Sequence, residues 1–299
     1  MPRPPDVLPA QLDSRTNPAI LIGMLVPVTA LAMMAWLSTP PVPPSNSAVS
    51  GAASASGVQG KAGPARRMKV QVLASYPHDP SAFTQGLHYE GNGVFYESTG
   101  LEGQSMLKRV DLATGRALKA FALAPDLFGE GLARTPRALL QLTYKNQVAL
   151  VYDPASLTVI GQFAYAGEGW GVCFDGTSLV MSNGSDTLTF RGRMNFVVQR
   201  SLRVVRDGSP LAALNELECV NDSIYANVWG TDVIARIDPA SGTVTESIDA
   251  AGLLSEAEAK AKGVDVLNGI AYDRTEDVFY ITGKRWPKLF KVRFVPAGT

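Results

Sequence analysis

Phe128-Gly129-Glu130-Gly131-Leu132 opens one of five segments that begin alike and continue alike in this 299-residue chain. The other four openings are Phe83-Thr84-Gln85-Gly86-Leu87, Gly169-Trp170-Gly171-Val172, Asn215-Glu216-Leu217-Glu218 and Leu267-Asn268-Gly269-Ile270. Aligned on Gly86, Gly131, Gly171, Leu217 and Gly269, the segments are spaced by 45, 40, 46 and 52 residues. A period of this length is typical of a solenoid, a propeller or an array of repeats.

Short apolar runs separated by turn residues follow each opening, as β-strands do. The first of these runs are residues 94–96, 139–142, 179–181, 224–228 and 278–281. A further run ends in Asp and turn-forming residues at Asp111, Asp153 and Asp238. Three or four short strands in about 45 residues predict a propeller blade. The repeats therefore predict an all-β fold, a five-bladed β-propeller. A solenoid is the weaker alternative, because its coils usually contribute single strands.

The residue before each aligned position is mostly polar. These residues are Gln85, Glu130, Trp170, Glu216 and Asn268. Equivalent positions in a closed ring of blades meet at one place, where propellers carry their sites. The repeat thus predicts a ring of five side chains at the centre of one face.

The two ends of the repeat region carry additional elements. The run 70–76 precedes the first repeat, and we expect it to complete the last blade, which lacks a fourth strand, and so to remove a free sheet edge. Ser255 and Glu258 form a capping-box pattern, so we expect a short helical insertion over 253–262, ended at Gly263. We place the propeller domain at 66–297.

The N-terminal region differs in composition from the repeats. After a tail at 1–18, residues 19–37 contain no charge and are about long enough to span a bilayer. We expect a membrane anchor there rather than a cleaved signal segment, then a disordered linker rich in Pro, Ser, Ala and Gly at 38–65. Either interpretation places the domain outside the cytoplasm, in the periplasm of a bacterium.

Charge and ligand-type residues limit the function classes. The chain has 27 basic and 27 acidic residues, which gives no sign of nucleic-acid binding. With only two histidines and no CxxC motif, we expect neither a zinc site nor another cofactor. Cys173 and Cys219 lie at equivalent sites of neighbouring repeats in this alignment. A disulfide is open to them in an oxidising compartment, but two separate buried side chains are favoured.

Four kinds of residue are candidates for chemistry. Glu130 stands between two glycines, and burial would raise its pKa towards that of an acid–base group, unless backbone amides satisfy the carboxylate. Trp170 and Trp229 could wall a pocket, although core positions between blades are favoured for an isolated Trp. Lys284 follows a strand, where a solvated surface lysine is the usual alternative. Asn215 could hydrogen-bond a carbonyl oxygen or cap a loop.

Eight motifs in order between about 70 and 295 resemble the plant and bacterial type of glutaminyl-peptide cyclotransferase, a five-bladed propeller family. They are Phe-Thr-Gln-Gly-Leu (83–87), Tyr-Glu-Ser-Thr-Gly (96–100), Phe-Gly-Glu-Gly-Leu (128–132), Gly-Glu-Gly-Trp-Gly (167–171), Leu-Asn-Glu-Leu-Glu (214–218), Asn-Val-Trp (227–229), Leu-Asn-Gly-Ile-Ala-Tyr-Asp (267–273) and Thr-Gly-Lys-x-Trp-Pro (282–287). The family converts an N-terminal glutamine to pyroglutamate and releases ammonia, in plants without a catalytic metal.

The resemblance implies a role for each matching residue. Glu130 would bind the substrate α-amino group and transfer its proton, while Asn215 and Lys284 would polarise the side-chain carbonyl. Phe83, Gln85, Phe128, Tyr144, Trp170 and Trp229 would shape the substrate pocket. The implied partner is a peptide or protein with N-terminal Gln, acted on by a monomer.

The chain departs from the family pattern at three positions: Tyr144 replaces a pocket Trp, Asn183 an Asp, and Cys219 an aromatic residue. Because Tyr keeps a ring with a polar tip, we expect an altered preference and the same reaction. One alternative is a non-catalytic, membrane-tethered propeller that binds peptides or envelope components. A weaker one is a metal-dependent propeller hydrolase using Glu130, Glu216 or Asn268.

Overall fold

The computed structural model describes residues 63–298, which form β-strands joined by short turns and one short helix. Strand β1 (Arg66–Pro77) comes first. Three four-stranded antiparallel sheets follow in chain order. They are β2 (Thr84–Gly91), β3 (Val94–Thr99), β4 (Met106–Asp111) and β5 (Ala117–Ala122); β6 (Gly129–Arg134), β7 (Leu139–Thr143), β8 (Val148–Tyr152) and β9 (Val159–Ala164); and β10 (Val172–Phe174), β11 (Ser178–Met181), β12 (Thr187–Gly192) and β13 (Val198–Arg203).

The C-terminal half repeats this organisation after a small hairpin. The hairpin is β14 (Val205–Arg206) and β15 (Ser209–Pro210). The remaining strands are β16 (Leu214–Val220), β17 (Ser223–Val228), β18 (Val233–Ile237), β19 (Val244–Asp249), β20 (Leu267–Asp273), β21 (Val278–Gly283) and β22 (Lys288–Pro296). We number the units from β2, β6, β10, β16 and β20 as blades 1 to 5. The all-β prediction is confirmed.

Strand β1 completes blade 5, as expected from the sequence. It pairs antiparallel with β22 from Met68 to Pro77, and its first residues, Arg66 to Lys69, pair parallel with β19 of blade 4. The N-terminal strand of the described region therefore joins the last blade and covers an edge that would otherwise be open.

The first strands of the blades form the inner ring. In order, β2, β6, β10 and β16 each contact the next, and β20 contacts both β16 and β2. The strands approach closely: a Cβ on Gly131 would lie 2.6 Å from the Trp170 carbonyl oxygen, and a Cβ on Gly171 would clash with the Asn215 carbonyl. This close approach is the physical reason for the repeated glycine.

Five hydrophobic clusters fill the gaps between neighbouring blades. Leu87 and Phe95 of blade 1, for example, pack against Ala271 and Tyr280 of blade 5. Successive residues of a strand point to opposite faces of its sheet, so each blade contributes alternate residues to two clusters. Val172 accordingly packs towards blade 2 and its neighbour Cys173 towards blade 4.

The strand register corrects the sequence alignment in blade 4. Leu217 pairs with Ala226 as Leu132 pairs with Gln141 in blade 2, with an irregularity just before each. Leu217 therefore corresponds to Leu132 and not to Gly131. The alignment was wrong by one residue because blade 4 carries Glu216 where the other blades carry glycine. Asn215, and not Glu216, takes the ring position.

The same shift explains the cysteines. Cys173 and Cys219 form a disulfide with Cα atoms 5.5 Å apart, so the expectation of two separate side chains is wrong. In the corrected register they are not equivalent but lie one residue apart. Cys173 therefore points from blade 3 towards blade 4, and Cys219 points from blade 4 towards blade 3, so that they meet between the two blades.

The insertion between blades 4 and 5 contains the expected helix. Helix α1 (Glu256–Ala259) begins after Ser255, whose side chain accepts from the Glu258 amide while Glu258 accepts from the Ser255 amide. The capping-box prediction is confirmed, but the helix ends at Ala259, with Lys260 as its C-cap, and not at Gly263. The tail, anchor and linker at 1–18, 19–37 and 38–65 lie outside the described residues, apart from residues 63–65 at the end of the linker. Within residues 63–298, no helix is both long and apolar enough to cross a membrane.

Candidate active site

The ring positions lie at the first residues of the inner strands or just before them. They are Gln85, Glu130, Trp170, Asn215 and Asn268. Gln85, Glu130, Asn215 and Asn268 are all buried, with at most 5% of their surface exposed. Four buried polar side chains at one end of the inner ring form the candidate site.

Glu130 combines deep burial with few partners. Its Oε1 accepts a hydrogen bond from Gln85 Nε2 at 3.1 Å. Burial raises the pKa of Glu130 well above its usual value; the positive charge of Lys284 opposes this rise, and Glu168 adds to it. The alternative considered from the sequence, a carboxylate satisfied by backbone amides, describes Glu216 instead. Glu216 accepts from the Ile270 amide at 2.8 Å and the Leu87 amide at 3.3 Å.

Lys284 is buried, with 5% of its surface exposed, so the alternative of a solvated surface lysine does not hold. Its Nζ lies 4.8 Å from the centroid of the Phe83 ring. Burial lowers the pKa of the Lys284 ammonium, while Glu130 and Asp265 act in the opposite direction. The lysine and the glutamate are therefore both buried, and the charge of each acts on the pKa of the other.

A buried ion pair supports the turn that carries Lys284. His78 Nδ1 donates to the Trp286 carbonyl at 2.7 Å, and its Nε2 donates to Glu97 at 2.9 Å. Burial alone would lower the pKa of His78, but the charge and hydrogen bond of Glu97 outweigh it and raise that pKa. The Trp286 indole also donates to the Asp265 carbonyl at 2.8 Å, so the turn is anchored on both sides.

Asn215 presents a carboxamide oxygen that is not engaged within the described part of the protein. Its Oδ1 is fully buried without a hydrogen-bond partner. Its backbone is fixed, since the carbonyl accepts from Ser182 Oγ at 2.7 Å. A buried amide oxygen without a partner is costly, and it is a feature of sites that a ligand completes.

The predicted aromatic residues form two groups beside the ring. The rings of Phe83 and Phe128 meet edge-on with centroids 6.3 Å apart, and Tyr144 lies 5.8 Å beyond Phe128. Trp170 and Trp229 pack edge-on at 6.0 Å. Trp229 is 49% exposed, so the interpretation as core between blades does not hold for it. Within each group the aromatic side chains contact one another, and both groups lie near the ring of inner-strand residues.

Two cavities help to locate the site. One of about 480 Å³ is lined by Phe128 and Tyr144 together with Lys145 and three neighbours. Another of about 380 Å³ lies at the opposite ends of the inner strands, beside the disulfide and Glu218, and none of the predicted site residues lines it. Of the predicted site residues, Phe128 and Tyr144 therefore border an open cavity, whereas Glu130, Asn215 and Lys284 line neither of these two.

From the sequence, Asn268 was named only as a ring residue and in the metal-dependent alternative, and the resemblance gave it no catalytic or substrate-binding role. It is fully buried, and its Nδ2 donates to Gln85 Oε1 at 3.2 Å. The signal was present in its ring position in the repeat. Within residues 63–298, no group of three or more His, Cys, Asp or Glu side chains is placed to hold a metal ion.

The arrangement suits acyl transfer. A carboxyl group with a raised pKa can exchange protons with an amine near neutral pH. A buried cation and an amide can stabilise negative charge that develops on a carbonyl oxygen. Both charged groups are buried.

Comparison with known proteins gives one consistent result. A family model described as glutamine cyclotransferase matches residues 46–294. A curated glutaminyl-peptide cyclotransferase of Arabidopsis thaliana is 38% identical over 235 residues, which are 77% of this chain and 72% of that protein. The crystal structure of Myxococcus xanthus glutaminyl cyclase superposes with a TM-score of 0.70 at 35% identity, covering 78% of this chain and all of that one.

Proposed function

The chain belongs to the glutamine cyclotransferase family and has glutaminyl cyclotransferase activity, and on this premise we propose that Glu130, Lys284 and Asn215 carry out the reaction. The substrate is a peptide or protein with N-terminal glutamine. The observation that supports this assignment is the buried pair of Glu130 and Lys284, whose pKa values are displaced towards each other.

In the proposed mechanism, the substrate α-amine attacks the carbonyl carbon of its own side-chain amide. Because nucleophile and electrophile belong to one residue, ring closure is intramolecular and the pocket mainly has to fold the side chain back. The aromatic residues Phe83, Phe128, Tyr144, Trp170 and Trp229 line the space for that folded side chain.

The protons balance through one carboxyl group. As the new C–N bond forms, Glu130 in its ionised form takes a proton from the attacking nitrogen. The negative charge on the carbonyl oxygen is stabilised by Lys284 and by the Asn215 amide N–H. Glu130 then returns the proton to the departing nitrogen, the old C–N bond breaks, and ammonia leaves. No step requires a metal ion, so we propose a metal-independent enzyme.

The test is ammonia release from a Gln-peptide by the full-length protein, with and without a chelator. Glu130→Gln should lower kcat by at least about 10³-fold, because it removes the proton carrier. Glu216→Gln is the matched control, a second buried glutamate with a raised pKa that is held by backbone amides, and it should retain turnover.

Full activity in Glu130→Gln would refute the role of Glu130. Activity that disappears with the chelator would refute metal independence. A folded protein without turnover on any Gln-peptide would instead support a binding module.

We also propose that the domain works outside the cytoplasm, anchored by residues 19–37. The disulfide supports this location, since such bonds persist mainly in oxidising compartments. Protease accessibility of the domain in intact cells checks it: protection until the cytoplasm is released would contradict the proposal.

A further inference from the structure

Asn268 has two acceptors for one amide nitrogen. It occupies the ring position of blade 5 and is fully buried. Its Nδ2 donates to the Thr84 carbonyl at 3.0 Å and to Gln85 Oε1 at 3.2 Å. Both acceptors belong to the start of β2 in blade 1, so the contact crosses the junction between the last blade and the first.

These contacts determine the orientation of two side-chain amides, first that of Asn268 and then that of Gln85. A peptide carbonyl can only accept, so the side of Asn268 that faces Thr84 must be its nitrogen. The same nitrogen then requires an oxygen from Gln85, which directs Oε1 of Gln85 to Asn268. The other end of the Gln85 amide, Nε2, is left to donate to Glu130 at 3.1 Å.

We propose that Asn268 is a positioning residue for catalysis: by holding the Gln85 carboxamide oxygen, it makes Gln85 an obligatory hydrogen-bond donor to Glu130. The inference rests on the proposed role of Glu130 as the acid–base group. Asn268 itself touches neither substrate nor reacting atoms in this assignment.

A fixed donor stabilises the ionised form of Glu130, which the reaction needs first. Burial works against that form, and other groups also act on it: Lys284 from the turn after β21 favours the carboxylate, while Glu168 from the loop before β10 disfavours it. Tyr165, after β9, is a further titratable neighbour. If the Gln85 amide were reversed, its oxygen would face the carboxylate, and Glu130 would have to keep its proton.

Asn268→Asp should reverse the orientation of the Gln85 amide. A carboxylate at position 268 accepts from Gln85 Nε2, and this turns Gln85 Oε1 towards Glu130. The added charge also raises the pKa of Glu130 directly, so the variant must be compared with and without Gln85. The four proteins are wild type, Asn268→Asp, Gln85→Ala and the double variant.

The measurement is the titration of Glu130 in full-length protein labelled with ¹³C-carboxyl glutamate, its signal assigned by its loss in Glu130→Gln. The acid limb of kcat/KM on a Gln-peptide is recorded in parallel. We expect Asn268→Asp to raise the pKa of Glu130 by about one unit more when Gln85 is present than when it is absent. Equal shifts in the two backgrounds would mean that charge alone acts, and would overturn the proposal.

Asn227→Asp is the matched control. Asn227 is also buried, and its Oδ1 accepts from the Gly269 amide at 2.9 Å, one residue beyond Asn268. The aspartate adds the same charge without a contact to Gln85. Asn227→Asp should therefore shift the pKa of Glu130 by the same amount with and without Gln85. A shift that depends on Gln85 as strongly as that of Asn268→Asp would overturn the proposal.

If Asn268→Asp does not fold, Asn268→Ala replaces it in the same cycle. We then expect the effects of Asn268→Ala and Gln85→Ala on the Glu130 titration to be non-additive, and additive effects would overturn the proposal. A wild-type protein in which Glu130 titrates but no Gln-peptide reacts would refute the proposed function. The NMR titrations would still decide whether Asn268 orients the Gln85 amide towards Glu130.

Discussion

At the scale of single residues, burial and partners decide what each ionisable group can do. Glu130 and Glu216 are both buried glutamates with raised pKa values. Glu216 accepts two backbone amides and ties strands together, whereas Glu130 has a single side-chain donor and a nearby cation. Only the second arrangement leaves a carboxyl group available for proton transfer.

Lys284→Met should change the pH profile as well as the rate. Lys284 lowers the pKa of Glu130, so its removal raises that pKa further. In the proposed mechanism Glu130 is a base, so activity is present above its pKa and is lost as the pH falls through it, and the acid limb of kcat/KM should move to higher pH. Loss of an oxyanion donor should also cost about 10²-fold or more in kcat.

Lys284→Arg is the control for this experiment, since it keeps the charge and should leave the acid limb near its wild-type position. An acid limb that stays in place in Lys284→Met would show that the two groups do not interact. The basic limb of kcat/KM gives a second check on Lys284. In the wild-type protein this limb should follow the loss of the lysine proton, whose pKa is lowered by burial.

At the scale of strands, alternation of side chains decides which residues of neighbouring blades can meet. Leu217 and Cys219 share one face of β16 and pack on blade 3, where Cys173 faces them. Glu216 stands in β16 where the other inner repeats carry glycine, and its carboxyl group extends from blade 4 to amides of β2 and β20. The inner strands are thus linked by a covalent bond on one side and by a carboxyl group on the other.

Glu216 should be important for stability. Glu216→Ala leaves two buried amides without an acceptor, and we expect a loss of about 2–4 kcal/mol in the free energy of unfolding. Glu216→Gln keeps one oxygen for the stronger bond, from Ile270, and should lose less. Guanidinium unfolding curves of the three proteins give the order, and equal stability of the Ala variant and wild type would contradict this role.

At the scale of the whole domain, blade 5 is built from both ends of the described chain. Strand β1 supplies its outer strand, and Lys284 and Asn268 lie on the same blade. Ring closure and completion of the site are therefore coupled, since Asn268 and the Lys284 turn contact blade 1 across this junction.

A fragment of residues 78–299 should fail to form a cooperative fold, because removal of β1 leaves the edge of β22 uncovered. It should lose activity and unfold over a broad temperature range. A fragment of residues 65–299 keeps β1 and is the control, expected to unfold in one transition. Thermal unfolding followed by circular dichroism compares them; equal melting curves would show that β1 does not close the ring.

Much of this architecture could be predicted from the sequence, because the responsible interactions are local or repeated. The strands, the Asp turns, the capping box at Ser255 and the closing strand all follow from alternation, turn chemistry and the repeat. Glu130, Asn215 and Lys284 were proposed from motifs. Their placement in a repeat predicted that at least the ring residues would share one end of the molecule.

Tertiary structure alone decided what depends on contacts between distant residues. The burial of Lys284 beside Phe83, the disulfide between Cys173 and Cys219, and the chain of amides from Asn268 to Glu130 each join different blades. A one-residue error in blade 4 was enough to hide the disulfide and to misplace Asn215. The physical reason is that side chains alternate between the faces of a strand, so the register decides which neighbours they meet, and only the paired sheets set the register.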